Sequence, residues 1–358
     1  MAAWGWGLAL LALLALWHAL RPTDQPPCHR WSCSTPLLAD PAGRWPPPRD
    51  DLRAFASAAS ASARASPLPL SAFDEWERRH AAHVALAARG GARLVFLGDS
   101  ITEGWQHEGY SPRRRGAPQP EAAAVWRRCF GAWRPLNLGL GGDRAQDLGW
   151  RLQHGLLPAA LDPDVFVLLV GTNDIGRGEQ PHVAVEEVLT LVRQLHAAKP
   201  RARLLLVGLL PRGGDVHAGT AEFHRSAWWT AAWNNHFAAI RTINSRLAAF
   251  ARSRAWAAYV ETADDDSPFL ARAWQPHGAE GAPSNGTAYI RTELMYDLLH
   301  LSPRGYEVLG ELLLRELRPM MDGAAMRRHA NRSARGEGDD ETPRCSGRSC
   351  RGPDVDLA

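Results

Sequence analysis

Residues 94–103 read LVFLGDSITE. An apolar run that ends in glycine, acid and serine is typical of a buried parallel strand that carries a hydroxyl to the edge of a sheet, where α/β folds bind ligands. Gly98 permits a sharp turn, and the Ile-Thr-Glu after Ser100 can begin a helix whose N–H groups favour negative charge near the serine. The stretch predicts Ser100 as a candidate nucleophile, although Gly-Asp-Ser alone is more often an ordinary turn.

Apolar runs with the character of strands recur after this stretch, with helical patterns between them. The runs are 135–138, 165–170, 204–210 and 257–260, and the helical patterns are 71–89, 121–129, 144–157, 182–198, 223–254 and 303–317. Near-continuous apolar strands that alternate with helices indicate a parallel sheet covered on both faces. We therefore predict an α/β fold with three layers, α/β/α, doubly wound and flavodoxin-like, around a parallel sheet of about five strands.

The N-terminal flank differs from this domain in composition. Residues 4–20 are apolar apart from His18, which is typical of a secretory signal peptide or a signal anchor, here residues 1–22. Residues 23–70 hold proline-rich and Ala/Ser-rich stretches, and we interpret them as a linker. We therefore expect a secretory-pathway protein, secreted or lumenal, with membrane anchoring through residues 4–20 as the alternative.

The cysteines favour the same compartment. Cys28 and Cys33 precede the domain, Cys345 and Cys350 follow it, and each pair has four residues between its members. Matching pairs in the two flanks suggest disulfide bonds, whose connectivity the sequence leaves open. Cys129 lies inside the domain, and we expect its thiol to be buried.

The C-terminal flank lacks the periodicity of the domain. After Met321 the apolar pattern stops, so we predict a domain over residues 71–321 and a disordered tail over residues 322–358. Asn285 and Asn331 each begin an Asn-x-Ser/Thr sequon, which fits glycosylation of a lumenal protein.

The charge balance argues against a nucleic-acid partner. The chain of 358 residues has 41 basic and 38 acidic residues, a formal net charge of +3, and no sustained basic block before its C-terminal tail. Its apolar content of 45% is enough for one large core, or for two modest ones at most.

Three further polar blocks follow the first one along the chain. They are residues 137–143 (NLGLGGD), 170–174 (VGTND) and 297–303 (DLLHLSP). The backbone N–H groups of the glycine-dense turn and the side-chain amide of Asn173 are suited to bind an oxyanion. Asp297 and His300 are three residues apart, so the carboxylate can hold one ring nitrogen while the other takes the proton of Ser100. The plainer interpretation of the block 170–174 is an Asn/Asp turn.

The four blocks occur in this order along a chain of alternating strands and helices. Together they resemble the motifs of the SGNH, or GDSL, hydrolase family. The stretches 137–152 (NLGLGGDRAQDLGWRL), 208–213 (GLLPRG) and 295–306 (MYDLLHLSPRGY), with VGTND, are most similar to the catalytic subunits of brain-type platelet-activating-factor acetylhydrolase.

The resemblance spans about residues 71–320 and implies roles for particular residues. It implies Ser100 as nucleophile, with Asp297 and His300 completing a catalytic triad. It also implies an oxyanion hole made of the backbone N–H groups of Ser100 and Gly142 and the side chain of Asn173. Such chemistry needs no metal and no organic cofactor.

Two segments depart from the pattern of those subunits. Residues 105–121 contain an apparent insertion, and the connection 213–235 is longer; both follow strands that carry catalytic blocks and are placed to form a lid. Trp228 lies about 100° from the apolar stripe of its predicted helix, which makes it a candidate substrate contact.

These observations favour one function over two others. We expect a serine esterase that hydrolyses a short-chain ester, most readily an acetyl ester, of a lipid or a glycan through an acyl-enzyme. A long-chain GDSL lipase is the alternative within enzymes. A non-catalytic scaffold that retains the fold is the third hypothesis, and the presence of every catalytic block argues against it.

Overall fold

The structure, a computed structural model, describes residues 72–106, 120–213, 236–272 and 288–334. Within these ranges the helices are α1 (Ala72–Ala88), α2 (Ser100–Glu103), α3 (Pro120–Phe130), α4 (Ala145–Arg151), α5 (Thr172–Gly176), α6 (Pro181–Ala198), α7 (Phe237–Arg252) and α8 (Pro303–Ala334). The strands are β1 (Leu94–Gly98), β2 (Pro135–Asn137), β3 (Val165–Leu169), β4 (Arg203–Val207), β5 (Ala257–Val260), β6 (Leu270–Arg272) and β7 (Ala288–Ile290).

The main sheet has five parallel strands in the order β2-β1-β3-β4-β5. In the register of β1 and β3, Leu94 lies opposite Val165 and Gly98 opposite Leu169. Every residue of these two strands is buried, because helices cover both faces of the sheet. The predicted α/β fold with a doubly wound parallel sheet is confirmed.

The helices pack in two groups. α3 contacts α8, and α6 contacts both α4 and α7. Between α3, α8 and the sheet lies an aromatic cluster in which Phe96 and Trp126 have ring centroids 4.6 Å apart and Trp105 and Tyr306 also 4.6 Å apart. This cluster fixes the start of α8 near the end of β1, where Ser100 follows. Cys129, in α3, is buried as expected, with its Sγ facing α8 at Gly310.

The C-terminal helix is longer than predicted. The sequence pattern ended this helix at residue 317 and predicted a disordered tail from residue 322, but α8 continues to Ala334. Met320, Met321 and Ala324 are buried, and Arg328 Nε donates to Asp164 Oδ1 at 2.6 Å. The extension is stabilised by contacts with distant parts of the chain, so the weak local periodicity after residue 321 gave no sign of it.

A second, small sheet was not predicted. β6 and β7 pair antiparallel, with Leu270 opposite Ile290. Strands of three residues are too short to show an alternating pattern. Ile290 is buried, so this pair attaches the loop before α8 to the core.

Several predictions fall outside the described residues. These are the leader, the linker, the flanking cysteines, the sequon at Asn285, most of the apparent insertion in residues 105–121, most of the connection 213–235 and Trp228. Asn331 belongs to α8. Across the part of the chain that the structure covers, no helix combines the length and the apolar character needed to cross a bilayer.

Candidate active site

Ser100, His300 and Asp297 form one chain of hydrogen bonds. Ser100 Oγ lies 2.9 Å from His300 Nε2, and His300 Nδ1 lies 2.7 Å from Asp297 Oδ2. The Asp297 side chain is only 9% exposed, whereas that of His300 is 22% exposed and thus remains accessible to a ligand. The set contains a hydroxyl, a base placed to take its proton and a carboxylate placed to orient that base.

The loop that carries Asp297 and His300 is tied by its own backbone. Asp297 Oδ1 accepts hydrogen bonds from the N–H groups of Leu299 and His300, at 3.1 and 2.6 Å. Leu298 has a left-handed backbone with φ of 64°, which is uncommon for a residue other than glycine, and its side chain is buried. This compact turn explains how a spacing of three residues places the carboxylate beside the imidazole.

The Asp297 carboxyl group is held in its ionised form. Burial acts to raise its pKa, but the hydrogen bond and charge of His300, together with the two backbone N–H groups, outweigh burial and leave the pKa below its usual value. A carboxylate in contact with Nδ1 favours a proton on that nitrogen. Nε2 is then the acceptor that faces Ser100.

Gly98 determines how closely the serine turn approaches the neighbouring strand. A Cβ at this position would lie 2.2 Å from the Leu169 carbonyl oxygen and 2.3 Å from Thr102 Oγ1. Both distances are far below van der Waals contact, so a side chain here would push β1 away from β3. Glycine is therefore required for the turn that presents Ser100 at the edge of the sheet.

Asp99 and Tyr306 stabilise the turn that carries Ser100 through hydrogen bonds to the backbone of Ile101. Asp99 Oδ1 accepts a hydrogen bond from the Ile101 N–H at 2.9 Å and so caps α2. Burial raises the pKa of Asp99 to about 7, with the Ile101 hydrogen bond opposing the shift. Tyr306, in the first turn of α8, donates its hydroxyl proton to the Ile101 carbonyl at 2.8 Å. These contacts give Asp99 a supporting role, distinct from that of Asp297.

The glycine-dense loop after β2 packs against the serine turn. Asn137 donates from Nδ2 to the Thr102 carbonyl at 2.7 Å and accepts the Gly139 N–H at 2.9 Å. Leu140 N–H donates to the Gly98 carbonyl at 3.0 Å. These bonds place the loop, and the Gly142 that follows, next to the turn that holds Ser100.

Asn173 lies in α5 and contacts the same loop. Its Nδ2 donates to the Asp143 carbonyl at 2.9 Å, one residue after Gly142. A side-chain amide carries two donors, so this bond orients the group and leaves the second N–H available to a ligand. Gly142 has φ of 86°, a left-handed conformation that favours glycine, and a Cβ there would meet open space. Asn173 is therefore adjacent to the loop segment that contains Gly142.

The sequence profile of the GDSL-like Lipase/Acylhydrolase family matches residues 96–308 of this chain. The chain belongs to this family. It is accordingly a hydrolase with esterase activity, and the resemblance inferred from its motifs is confirmed.

Its relatives include mammalian acetylhydrolase subunits. Platelet-activating factor acetylhydrolase IB subunit alpha1 of Bos taurus is 29% identical over 251 residues, which cover 68% of this chain and 84% of the relative. The Rattus norvegicus subunit is 30% identical over 247 residues, with coverage of 68% and 84%.

Two solved structures are similar to this chain at lower sequence identity. A GDSL-like lipase from Bacteroides thetaiotaomicron superposes with a TM-score of 0.46 at 16% identity, covering 67% of this chain and 97% of the lipase. An acetylxylan esterase from Geobacillus stearothermophilus gives a TM-score of 0.37 at 18% identity, covering 63% and 94%.

A buried network of hydrogen bonds supports the glycine-dense loop after β2 in this acylhydrolase. Sequence patterns did not reveal it. The Asp143 carboxylate accepts a hydrogen bond from Trp76 Nε1 at 2.7 Å. It also forms an ion pair with Arg151, whose Nη1 lies 2.5 Å from Oδ2. Burial raises the pKa of Asp143 to about 6, while the Arg151 charge opposes the shift. Since the carbonyl of the same residue accepts the Asn173 amide, α1 is connected to the candidate oxyanion hole through Trp76 and Asp143.

A buried pair of carboxyl groups, Asp174 and Glu187, supports the starts of α4 and α5. Both carboxylate oxygens of Asp174 accept from the Ala145 N–H, at 3.2 and 3.3 Å. The side chain of Glu187, in α6, hydrogen-bonds to Asp174. Burial raises the pKa of both carboxyl groups, and the charge of Asp174 raises that of Glu187 further, so the pair retains a proton between its members. The position of Asp174 directly after Asn173 was the only sequence signal of this support.

Arg212 ties the segment after β4 to the same edge of the sheet. Its Nη1 donates to the Thr172 carbonyl at 2.8 Å. The next residue, Gly213, donates from its N–H to the Leu298 carbonyl at 2.8 Å. The stretch GLLPRG thus connects the start of α5, which carries Asn173, to the loop that carries His300.

Among the described residues, no group of three or more His, Cys, Asp or Glu side chains is arranged to hold a metal ion.

Proposed function

We propose that this acylhydrolase is a serine esterase whose preferred substrate is a short-chain ester, with acetyl as the acyl group, of a lipid or a glycan. The observation that carries the proposal is the hydrogen-bonded chain from Ser100 Oγ through His300 to Asp297. A serine hydroxyl is a poor nucleophile at neutral pH, and an imidazole at 2.9 Å, itself oriented by a carboxylate, is what activates it.

The geometry supports a mechanism in two halves. His300 Nε2 takes the Ser100 proton as Oγ attacks the carbonyl carbon, and the resulting oxyanion accepts hydrogen bonds from the N–H groups of Ser100 and Gly142 and from the Asn173 amide. The C–O bond to the alcohol then breaks, and the alcohol leaves with the proton held by His300. In the second half, His300 removes a proton from water as the water oxygen attacks the acyl-serine carbonyl. The bond between the acyl carbon and Ser100 Oγ then breaks, His300 returns the proton to Oγ, and the carboxylic acid leaves.

The names of the relatives support acetyl as the acyl group. Several mammalian proteins similar to this chain are named platelet-activating factor acetylhydrolase subunits, at up to 30% identity with two thirds of this chain covered. A long-chain lipase uses the same catalytic chemistry, so the acyl pocket decides between the two functions.

A series of esters that share one alcohol separates these functions. With 4-nitrophenyl acetate, butyrate, octanoate and palmitate, we expect kcat/KM to be greatest for acetate and at least about ten-fold lower for octanoate, because a short pocket excludes added methylene groups. The measurement is initial rates below substrate aggregation. Higher kcat/KM for octanoate or palmitate would identify a lipase, and hydrolysis of none of them would favour the scaffold hypothesis.

We also propose that the protein works in the secretory pathway, either secreted or lumenal. Support comes from the apolar residues 4–20, the paired flanking cysteines and the sequon at Asn285. Protein isolated from its native host should gain electrophoretic mobility after treatment with peptide N-glycosidase. Unglycosylated protein recovered from the cytosolic fraction would contradict this placement.

A further inference from the structure

One face of α1 contacts segments that carry the candidate active site. Trp76, Arg79 and His83 are separated by three and four residues, a spacing that puts side chains on one side of a helix. Trp76 and Arg79 are buried. None of the four polar blocks lies in α1, and the family profile begins after it, at residue 96. This face therefore belongs to a part of the chain that the motifs of the family do not include.

Two of its contacts fix α1 itself. Arg79 forms an ion pair with Glu103, the last residue of α2. Arg151 Nη2 donates to His83 Nδ1 at 2.7 Å, since a guanidinium has only donors. Burial and the charge of Arg151 lower the pKa of His83 to about 2, so the ring is neutral and can accept this bond. These two pairs do not involve the indole of Trp76, and they hold the helix from which it projects.

The third contact holds Asp143. Its Oδ1 accepts the indole N–H of Trp76 at 2.7 Å, and its Oδ2 lies 2.5 Å from Arg151 Nη1. Arg151 Nη2 also donates to the Leu138 carbonyl at 3.0 Å. Asp143 is fully buried, so bulk water cannot replace a lost donor. Loss of the indole N–H would therefore favour a shift of Asp143 away from its present position.

The backbone of Asp143 connects this contact to the candidate oxyanion hole. Its carbonyl oxygen accepts a hydrogen bond from Asn173 Nδ2 at 2.9 Å, and that bond determines where the second N–H of the amide points. The carboxylate and the carbonyl belong to one residue, so a shift of the first displaces the second. An error of about 1 Å in the position of a catalytic group can lower a rate by about 100-fold. Trp76 is thus placed to affect turnover without contact with the substrate.

We propose that Trp76 is a positioning residue for the oxyanion-binding amide of Asn173 and acts on it through Asp143. The helix α1 is then part of the catalytic apparatus, although it contributes no group that touches the ester. The inference rests on the proposed function, in which Asn173 stabilises the oxyanion, and it adds a residue on which that role depends.

The test combines Trp76→Phe with Asn173→Ala in the full-length protein. Rates of 4-nitrophenyl acetate hydrolysis are divided by the number of sites that a fluorophosphonate probe labels at completion, so that unfolded molecules do not count. Trp76→Phe alone should lower kcat per labelled site about ten-fold and change KM by less than about two-fold. In the Asn173→Ala background the same change should cost less than about two-fold, because the amide that Trp76 orients is absent.

Two other variants accompany this pair. Trp256→Phe is the matched control, because Trp256 stacks on His196 with ring centroids 3.8 Å apart and directly precedes β5, at the edge of the sheet opposite Ser100. It should leave kcat per labelled site unchanged. Arg151→Lys keeps the positive charge but loses the guanidinium that bonds Asp143, so it should lower kcat with the same non-additivity. If Trp76→Phe does not fold, Arg151→Lys decides by the same criteria.

Other outcomes overturn the inference. Equal losses of kcat in the wild-type and Asn173→Ala backgrounds would mean that Trp76 acts independently of Asn173. Fewer labelled sites with unchanged kcat per site would limit its role to folding, and no change in either quantity would give it no role. Failure of the proposed function is distinguishable, because Asn173→Ala would then keep wild-type kcat or the wild-type protein would hydrolyse no ester.

Discussion

Replacing Ser100 with alanine is expected to abolish ester hydrolysis, lowering kcat by about four orders of magnitude or more. The variant keeps His300 and Asp297 but lacks the oxygen that forms the acyl-enzyme. Residual hydrolysis should come from water attack assisted by the oxyanion donors alone. Initial rates with 4-nitrophenyl acetate and covalent labelling by a fluorophosphonate probe measure the two consequences on one preparation.

Ser245→Ala is the matched control for this variant. Ser245 is an exposed serine on α7 whose hydroxyl donates to the Thr242 carbonyl, so its loss tests for general effects of a serine-to-alanine change. Both proteins should have the same circular dichroism and melting temperature as wild type. Undiminished labelling of folded Ser100→Ala protein would assign the nucleophile to another residue.

Asn173→Ala is expected to lower kcat by about two to three orders of magnitude with a modest change in KM. The amide is oriented by the Asp143 carbonyl at 2.9 Å, so its second N–H is already directed when the oxyanion forms. A donor fixed in advance contributes mainly to the transition state, and its loss should therefore affect turnover rather than substrate binding. Full kinetic curves separate the two parameters.

Two further variants make this result specific. Asn173→Asp has almost the same shape but replaces donors with a negative charge, so its loss of kcat should be at least as large. Gln180→Ala removes an exposed amide that makes no capping hydrogen bond at the start of α6, and it should leave kcat unchanged. A folded Asn173→Ala protein with wild-type kcat would move the oxyanion hole elsewhere.

The sheet was predictable because its signal is local. Leu94–Gly98 and Val165–Leu169 are buried on both faces, and a strand of that kind must be apolar at nearly every position. Glycine, acid and amide residues directly after such runs then locate the functional edge of the sheet. The pair Asp297 and His300 was predictable for the same reason, since three residues of separation and one turn bring them together.

Features that depend on distant contacts were not predictable. Trp76 and Asp143 are 67 positions apart, and nothing in the sequence around either residue indicates that their side chains form a hydrogen bond. The last turns of α8 are held by Met320, Met321 and the bond from Arg328 to Asp164, which spans 164 positions.

The separation of the nucleophile from its base has a consequence for synthesis of the protein. Ser100 leaves the ribosome 200 residues before His300, and the bond from the Tyr306 hydroxyl to the Ile101 carbonyl forms only when the first turn of α8 has docked. A nascent or partly folded chain therefore contains a serine without a base, and it is harmless toward the esters of the compartment in which it folds. Catalytic competence therefore requires contacts between residues about 200 positions apart, so the return of activity after denaturation reports that the start of α8 has docked against the serine turn.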